Sequence, residues 1–123
     1  MNDLAVFKEE MKQKTKKFAH ECVKLAIALP SHQLGNQIRG QLIRSATSVA
    51  ANYRASCLAQ SVPQLISKIS IAIEEADESE FWLEFARDEN LADEDEVFSI
   101  IQEVHQITSI LIKSRQTLSS YKK

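Results

Sequence analysis

The sequence predicts an all-α protein: an antiparallel, up-down-up-down four-helix bundle forming one domain over residues 1–123. Three observations lead there. Gly and Pro number two each, too few for the many turns of an all-β chain. Apolar residues recur at three- and four-residue steps through four long segments. The breaks between segments are short, and short connections make neighbouring helices antiparallel.

The first helix is expected from about Asp3 to Leu29. Leu4, Phe7, Met11, Phe18, Cys22, Leu25 and Leu29 form its stripe, with Thr15 in the gap. Pro30 stops it, because proline removes a donor and disfavours helix in the residue before it. Ser31 to Gly35 reads as a loop. The second helix follows from about Asn36 to Ala59, with Ile38, Leu42, Ala46, Val49, Tyr53 and Cys57 inward. Ser45, Asn52 and Ser56 make a small polar edge beside that stripe, where another helix can come close.

Ser61 with Gln64 three residues on is a capping box, and Pro63 sits in the first turn, where it loses no needed donor. The third helix runs on to about Glu89, with Leu65, Ile69, Ala72, Ala76 and Leu83 in one line. Ile66, Ile73 and Phe81 widen that line, and so wide an arc predicts contact on more than one side. Asn90 to Ala92 breaks the chain. Asp93 with Glu96 repeats the capping logic, and acids suit a helix N-terminus. The fourth helix reaches about Leu118, with Val97, Ile101, Val104, Thr108 and Leu111 inward and Ser119 onward expected to fray.

Hydrophobic residues are 44% and charged residues 26%, a balance that favours a folded chain over a disordered one. No apolar run approaches the roughly 18 residues of a membrane span. The charged N-terminus lacks the apolar core of a signal peptide. A cytoplasmic protein without membrane contact is expected, with Cys22 and Cys57 as reduced core residues. The net charge of −2 gives no overall field for nucleic acid. The distribution is uneven: residues 1–60 carry nine basic and four acidic groups, residues 61–123 six basic and thirteen acidic.

Chemistry is sparse. A di-iron bundle needs Glu-x-x-His on two helices. The residues three before His20, His32 and His105 are Lys17, Leu29 and Gln102, so no metal is expected. Gly35 and Gly40 alone cannot build a phosphate loop, and Ser45 and Cys57 lack a placed base. No cofactor, small-molecule substrate or enzymatic activity is expected. The acids Glu74, Glu75, Asp77, Glu78 and Glu80 read as a solvated helix face with ion pairs. Lys8, Lys12, Lys16, Lys17 and Arg39 are the candidate nucleic-acid contacts. No aromatic interleaves them for base stacking, so a solubilising surface competes with that reading.

Two stretches carry a further signal. One is Leu42-Ile43-Arg44-Ser45-Ala46-Thr47-Ser48-Val49-Ala50-Ala51-Asn52-Tyr53-Arg54; the other runs from Lys68 through Glu75 and Glu78 to Trp82-Leu83. Together they resemble the four-helix-bundle family named for proteins encoded in 23S rRNA intervening sequences. The accessory variability proteins of diversity-generating retroelements belong to the same group. The motif residues are Arg44, Ser45, Ser48, Asn52 and Arg54, then Lys68, Glu75, Glu78 and Trp82. The chain departs from the pattern at Ala55, where the family usually has Glu, and at Leu65, where it usually has an aromatic. The resemblance implies a homo-oligomer, typically a pentameric ring. Retroelement-associated members are strongly basic and are thought to engage nucleic acid and a reverse transcriptase, which this slightly acidic chain matches poorly.

Arg44, Asn52 and Arg54 lie near an apolar stripe and need partners wherever they are buried. Glu75, Glu78 and Ser79 are the groups at hand on the next helix. An interhelix network among these residues is therefore expected.

Overall fold

The computed structural model describes residues 2–121, which form four antiparallel helices: α1 (Asp3–Ile27), α2 (Gln33–Ser56), α3 (Val62–Asp88) and α4 (Glu94–Tyr121). Each helix packs on its neighbours in chain order, and α4 closes back on α1. The diagonal pairs α1/α3 and α2/α4 do not approach one another among the described residues. The α2–α3 seam is the most extensive and the α1–α4 seam the least. The reason lies in side-chain size. Ser45 and Ser79 are buried where α2 and α3 meet, and small residues let two backbones come close.

The core is one cluster built around Phe18, Ile38, Leu42, Val49, Leu83, Val104, Ile107 and Leu111. Burying side chains of this size contributes about 1.5–3 kcal/mol each. Most of the expected stripes point inward. Three residues do not. Leu4 and Phe7 are 60% and 39% exposed, because the first turns of α1 lie on the loosely closed α1–α4 seam. Phe81 is 49% exposed on the outer side of α3. Cys57 is half-buried, while Cys22 is fully buried, and both thiols are free.

The caps refine the helix ends. Ser61 Oγ accepts from the Gln64 amide at 3.2 Å, and Asp93 Oδ2 accepts from the Glu96 amide at 3.0 Å. The return bond of the Ser61 box lands one residue early: Gln64 Oε1 accepts from the Gln60 amide at 2.8 Å. At the end of α3, Asn90 adopts φ 59°, and the Leu91 amide donates to Ala86 O at 2.9 Å. This six-to-one bond is a Schellman closure, and asparagine tolerates the left-handed conformation it needs.

α1 ends at Ile27 rather than Leu29, since the Ala28 and Leu29 amides make tighter i→i+3 bonds ahead of Pro30. α2 begins at Gln33, three residues before the expected start, and ends correspondingly early at Ser56. His32 is the cause: its Nδ1 accepts from the Gly35 amide at 3.0 Å, doing the work usually left to Ser or Asp. α4 stays helical through Tyr121, beyond the expected fraying point, and Lys122 and Lys123 lie outside the described residues.

Candidate functional site

The residues singled out by sequence gather chiefly on the α2–α3 seam. Arg44 lies on the solvent edge of α2 and reaches across to two carboxylates of α3. Its Nη1 donates to Glu75 Oε2 at 2.8 Å, its Nη2 donates to Glu78 Oε2, and its Nε donates to Gln41 Oε1 at 3.2 Å. Trp82 Nε1, one turn further along α3, donates to the same Glu78 oxygen at 3.1 Å. The hydrogen bond from Arg44, with help from Trp82, holds the Glu78 carboxyl below the usual carboxylate range. The bonds to Glu78 and Glu75 push the Arg44 guanidinium up, so the pair stays charged.

Beneath this ion pair, Ser45 and Ser79 are fully buried with their hydroxyl oxygens 2.9 Å apart. Ser79 Oγ also lies 2.8 Å from the Glu75 carbonyl, so the buried hydroxyls are satisfied. The arrangement sets the register of α2 on α3 and joins a fixed cation to two fixed anions. It holds no acid kept neutral and no base aimed at a hydroxyl.

Other motif residues take different places. Asn52 Nδ2 donates to the Ser48 carbonyl and to Ser48 Oγ, both at 2.9 Å, so this bond lies within α2 and not between helices. Arg54 is exposed and Lys68 half-buried, and neither forms an ion pair among the described residues. The helical turn explains Arg54. Ser45 faces Ser79, and nine residues on, at 100° per residue, Arg54 lies on the opposite, exposed side of α2, turned away from α3.

The candidate nucleic-acid residues also divide. Lys16 and Lys17 are exposed on α1, whereas Lys8 and Lys12 are half-buried, and Lys12 Nζ sits 4.0 Å from Glu9. Arg39 serves the fold instead. Its Nε donates to Ala26 O at 3.2 Å, its Nη2 donates to the Leu29 and Pro30 carbonyls, and its Nη1 bonds Asn36. A guanidinium there adds donors to the carbonyls at the end of α1 and complements the helix dipole. Sequence reasoning missed this role. The available signal was a cation shortly after a helix-stopping proline.

Sequence reasoning also missed a carboxyl pair on the α1–α4 seam. Glu103 of α4 faces Glu21 of α1, whose Oε1 is shielded from solvent and unpartnered among the described residues. Burial and the bond with Glu21 push Glu103 up to about 7 from its ordinary value of 4.5, against the pull of Lys17 and Lys14. Burial, and then the charges of Glu103 and Glu21, also push the Cys22 thiol up. Between pH 4.5 and 7 the folded chain holds the Glu103 proton more tightly than the unfolded chain, so this group's contribution to stability is greatest below pH 4.5 and is lost as pH rises to 7. Glu103→Gln removes this titration. The variant is expected to melt above wild type at pH 8, by about 1 kcal/mol after solvent screening, and to converge with it below about pH 4. Parallel melting profiles across that range would contradict the assignment.

Elsewhere, His105 Nε2 lies 2.8 Å from Glu80 Oε1 across the α3–α4 seam. Among the described residues no group of three His, Cys, Asp or Glu side chains is placed to hold a metal ion, and no helix is long and apolar enough to cross a membrane.

A four-helix bundle whose central helices are keyed by an Arg–Glu–Trp cluster over a buried serine pair defines the class. The family model described as 23S rRNA-intervening sequence protein matches residues 8–113, and the chain belongs to that family. The chain is also similar to the crystal structure of a protein with unknown function from the S23 ribosomal protein family of Bacteroides thetaiotaomicron. The TM-score is 0.80 at 31% identity, covering 89% of this chain and 97% of that one. No curated protein matches.

Proposed function

We propose that this chain is a non-enzymatic interaction module that works as a homo-oligomer, a pentameric ring of four-helix bundles. The observation that carries the reading is on α3. Phe81 and Phe85 are substantially exposed on the side of that helix opposite buried Ala76 and Leu83. Their rings pack against Trp82 and against each other, with centroids 4.9–6.1 Å apart, forming an aromatic ridge whose Phe81 and Phe85 rings stay partly open to solvent while Trp82 roots it on the core. Isolated exposed apolar residues are ordinary; a contiguous ridge marks an interaction surface. The five-fold number comes from the resemblance carried by the α2 and α3 motifs.

Light scattering on the full chain at micromolar concentration tests the proposal. The expected mass is five times the 13.9 kDa of one chain, and a species at 13.9 kDa overturns it. The rival reading, a nucleic-acid-binding accessory protein that also contacts a reverse-transcriptase-like partner, has less support. Arg39 is engaged at the end of α1, and Lys8 and Lys12 are half-buried. Binding to RNA or DNA whose affinity falls steeply with added salt would favour that rival, and no binding at low salt would remove it.

A further inference from the structure

We infer that the contact between copies is head-to-tail, with the outer face of α3 in one copy seated on the outer face of α1 in the next. This rests on the homo-oligomeric reading and specifies its surfaces. The α3 face carries Ile71, Phe81 and Phe85, which are 37%, 49% and 36% exposed, interleaved with the exposed acids Glu74, Asp77 and Asp88. At 100° per residue these side chains lie opposite the buried Ala72, Ala76 and Leu83.

The α1 face is its complement. Lys16, Lys17, His20, Lys24 and Ile27 are exposed on the side turned away from buried Phe18, Cys22 and Leu25. Ile27, at 65% exposure, supplies an apolar contact among the cations. Glu74 and Asp77 on α3, and Lys16, Lys17 and Lys24 on α1, form no ion pair among the described residues.

The topology makes both faces available at once. α1 and α3 sit at diagonal corners of the bundle with no close backbone approach among the described residues, so one copy presents an acidic aromatic face on one side and a basic face on the other. Symmetry then selects between contacts. An isologous contact closes as a dimer and cannot build a five-fold ring, which needs two different patches. An α3-on-α3 contact would also set Glu74 and Asp77 against like charges, whereas α3 on α1 sets them against lysines.

Charge reversal on the full-length chain tests the inference. Wild type is weighed first by light scattering. Glu74→Lys with Asp77→Lys reverses one face, and Lys16→Glu with Lys24→Glu reverses the other. Each reversed chain is expected to fall to the 13.9 kDa monomer while keeping its helical circular dichroism. All four changes in one chain are expected to restore the assembly, because the faces are complementary again. A quadruple variant that stays monomeric, or single-face reversals that leave a wild-type assembly intact, overturn the head-to-tail contact alone. A monomeric wild type overturns the oligomeric reading with it.

Discussion

Gly35→Ala is expected to destabilise the chain by about 3 kcal/mol, which for a domain of this size lowers the melting temperature by roughly 10 °C. A Cβ built on Gly35 falls 1.9 Å from the carbonyl oxygen of Pro30, far inside van der Waals contact. The obstacle is backbone, and it is held in place. The Pro30 carbonyl accepts from the His32 amide at 3.1 Å and from Arg39 Nη2 at 3.3 Å. Moving it disturbs the junction that turns α1 into α2 and the His32 cap together. The helix-propensity gain of alanine, about 1 kcal/mol, is too small to offset the clash. Gly40 is the internal control. It lies exposed in the same helix, and nothing comes within 4 Å of a Cβ placed there. Gly40→Ala is expected to stabilise by about 0.5–1 kcal/mol. Thermal melts of the two variants should move in opposite directions, and equal shifts would contradict the close approach at Gly35.

Ser45→Leu is expected to cost a similar amount, about 3 kcal/mol, by denaturant unfolding. Ser45 and Ser79 are both fully buried, with their oxygens 2.9 Å apart, so the seam has no room for a larger side chain. A leucine either adopts a strained rotamer or pushes α2 from α3. Separation would also draw Arg44 away from Glu75 and Glu78, and Glu75, with its side chain only 16% exposed, loses the cation that offsets its burial. Ser45→Ala should cost only about 1 kcal/mol, because Ser79 keeps the Glu75 carbonyl. If leucine proved as mild as alanine, the two helices would not be as close as the serine pair requires.

These two sites show where sequence reading succeeds and where it stops. The motif in α2 and α3 was legible as residues, and so was the direction of the Arg44 contact, since Glu75 and Glu78 are the acids on the next helix. Its interhelix reach was overdrawn. Asn52 spends its donor within α2, and Arg54 lies about two and a half turns after Ser45, on the side of α2 turned away from α3. Gly35 looked like a loop residue, since histidine is seldom a helix cap and nothing in the local pattern announced one.

By itself the sequence determined the number of helices, their antiparallel order, the caps at Ser61 and Asp93 and the residues through which the family is recognised. Those properties are local. They depend on the 3.6-residue period, on donors left free in a first turn and on proline's missing N–H, all of which act within a few residues. The tertiary structure alone decided what covers each face. It left Phe7 and Phe81 exposed although both belong to apolar stripes, turned Arg39 from a surface cation into the closing group of α1, and brought Glu21 against Glu103. Periodicity records which side of a helix is apolar, but only the packing of distant segments determines what lies against it.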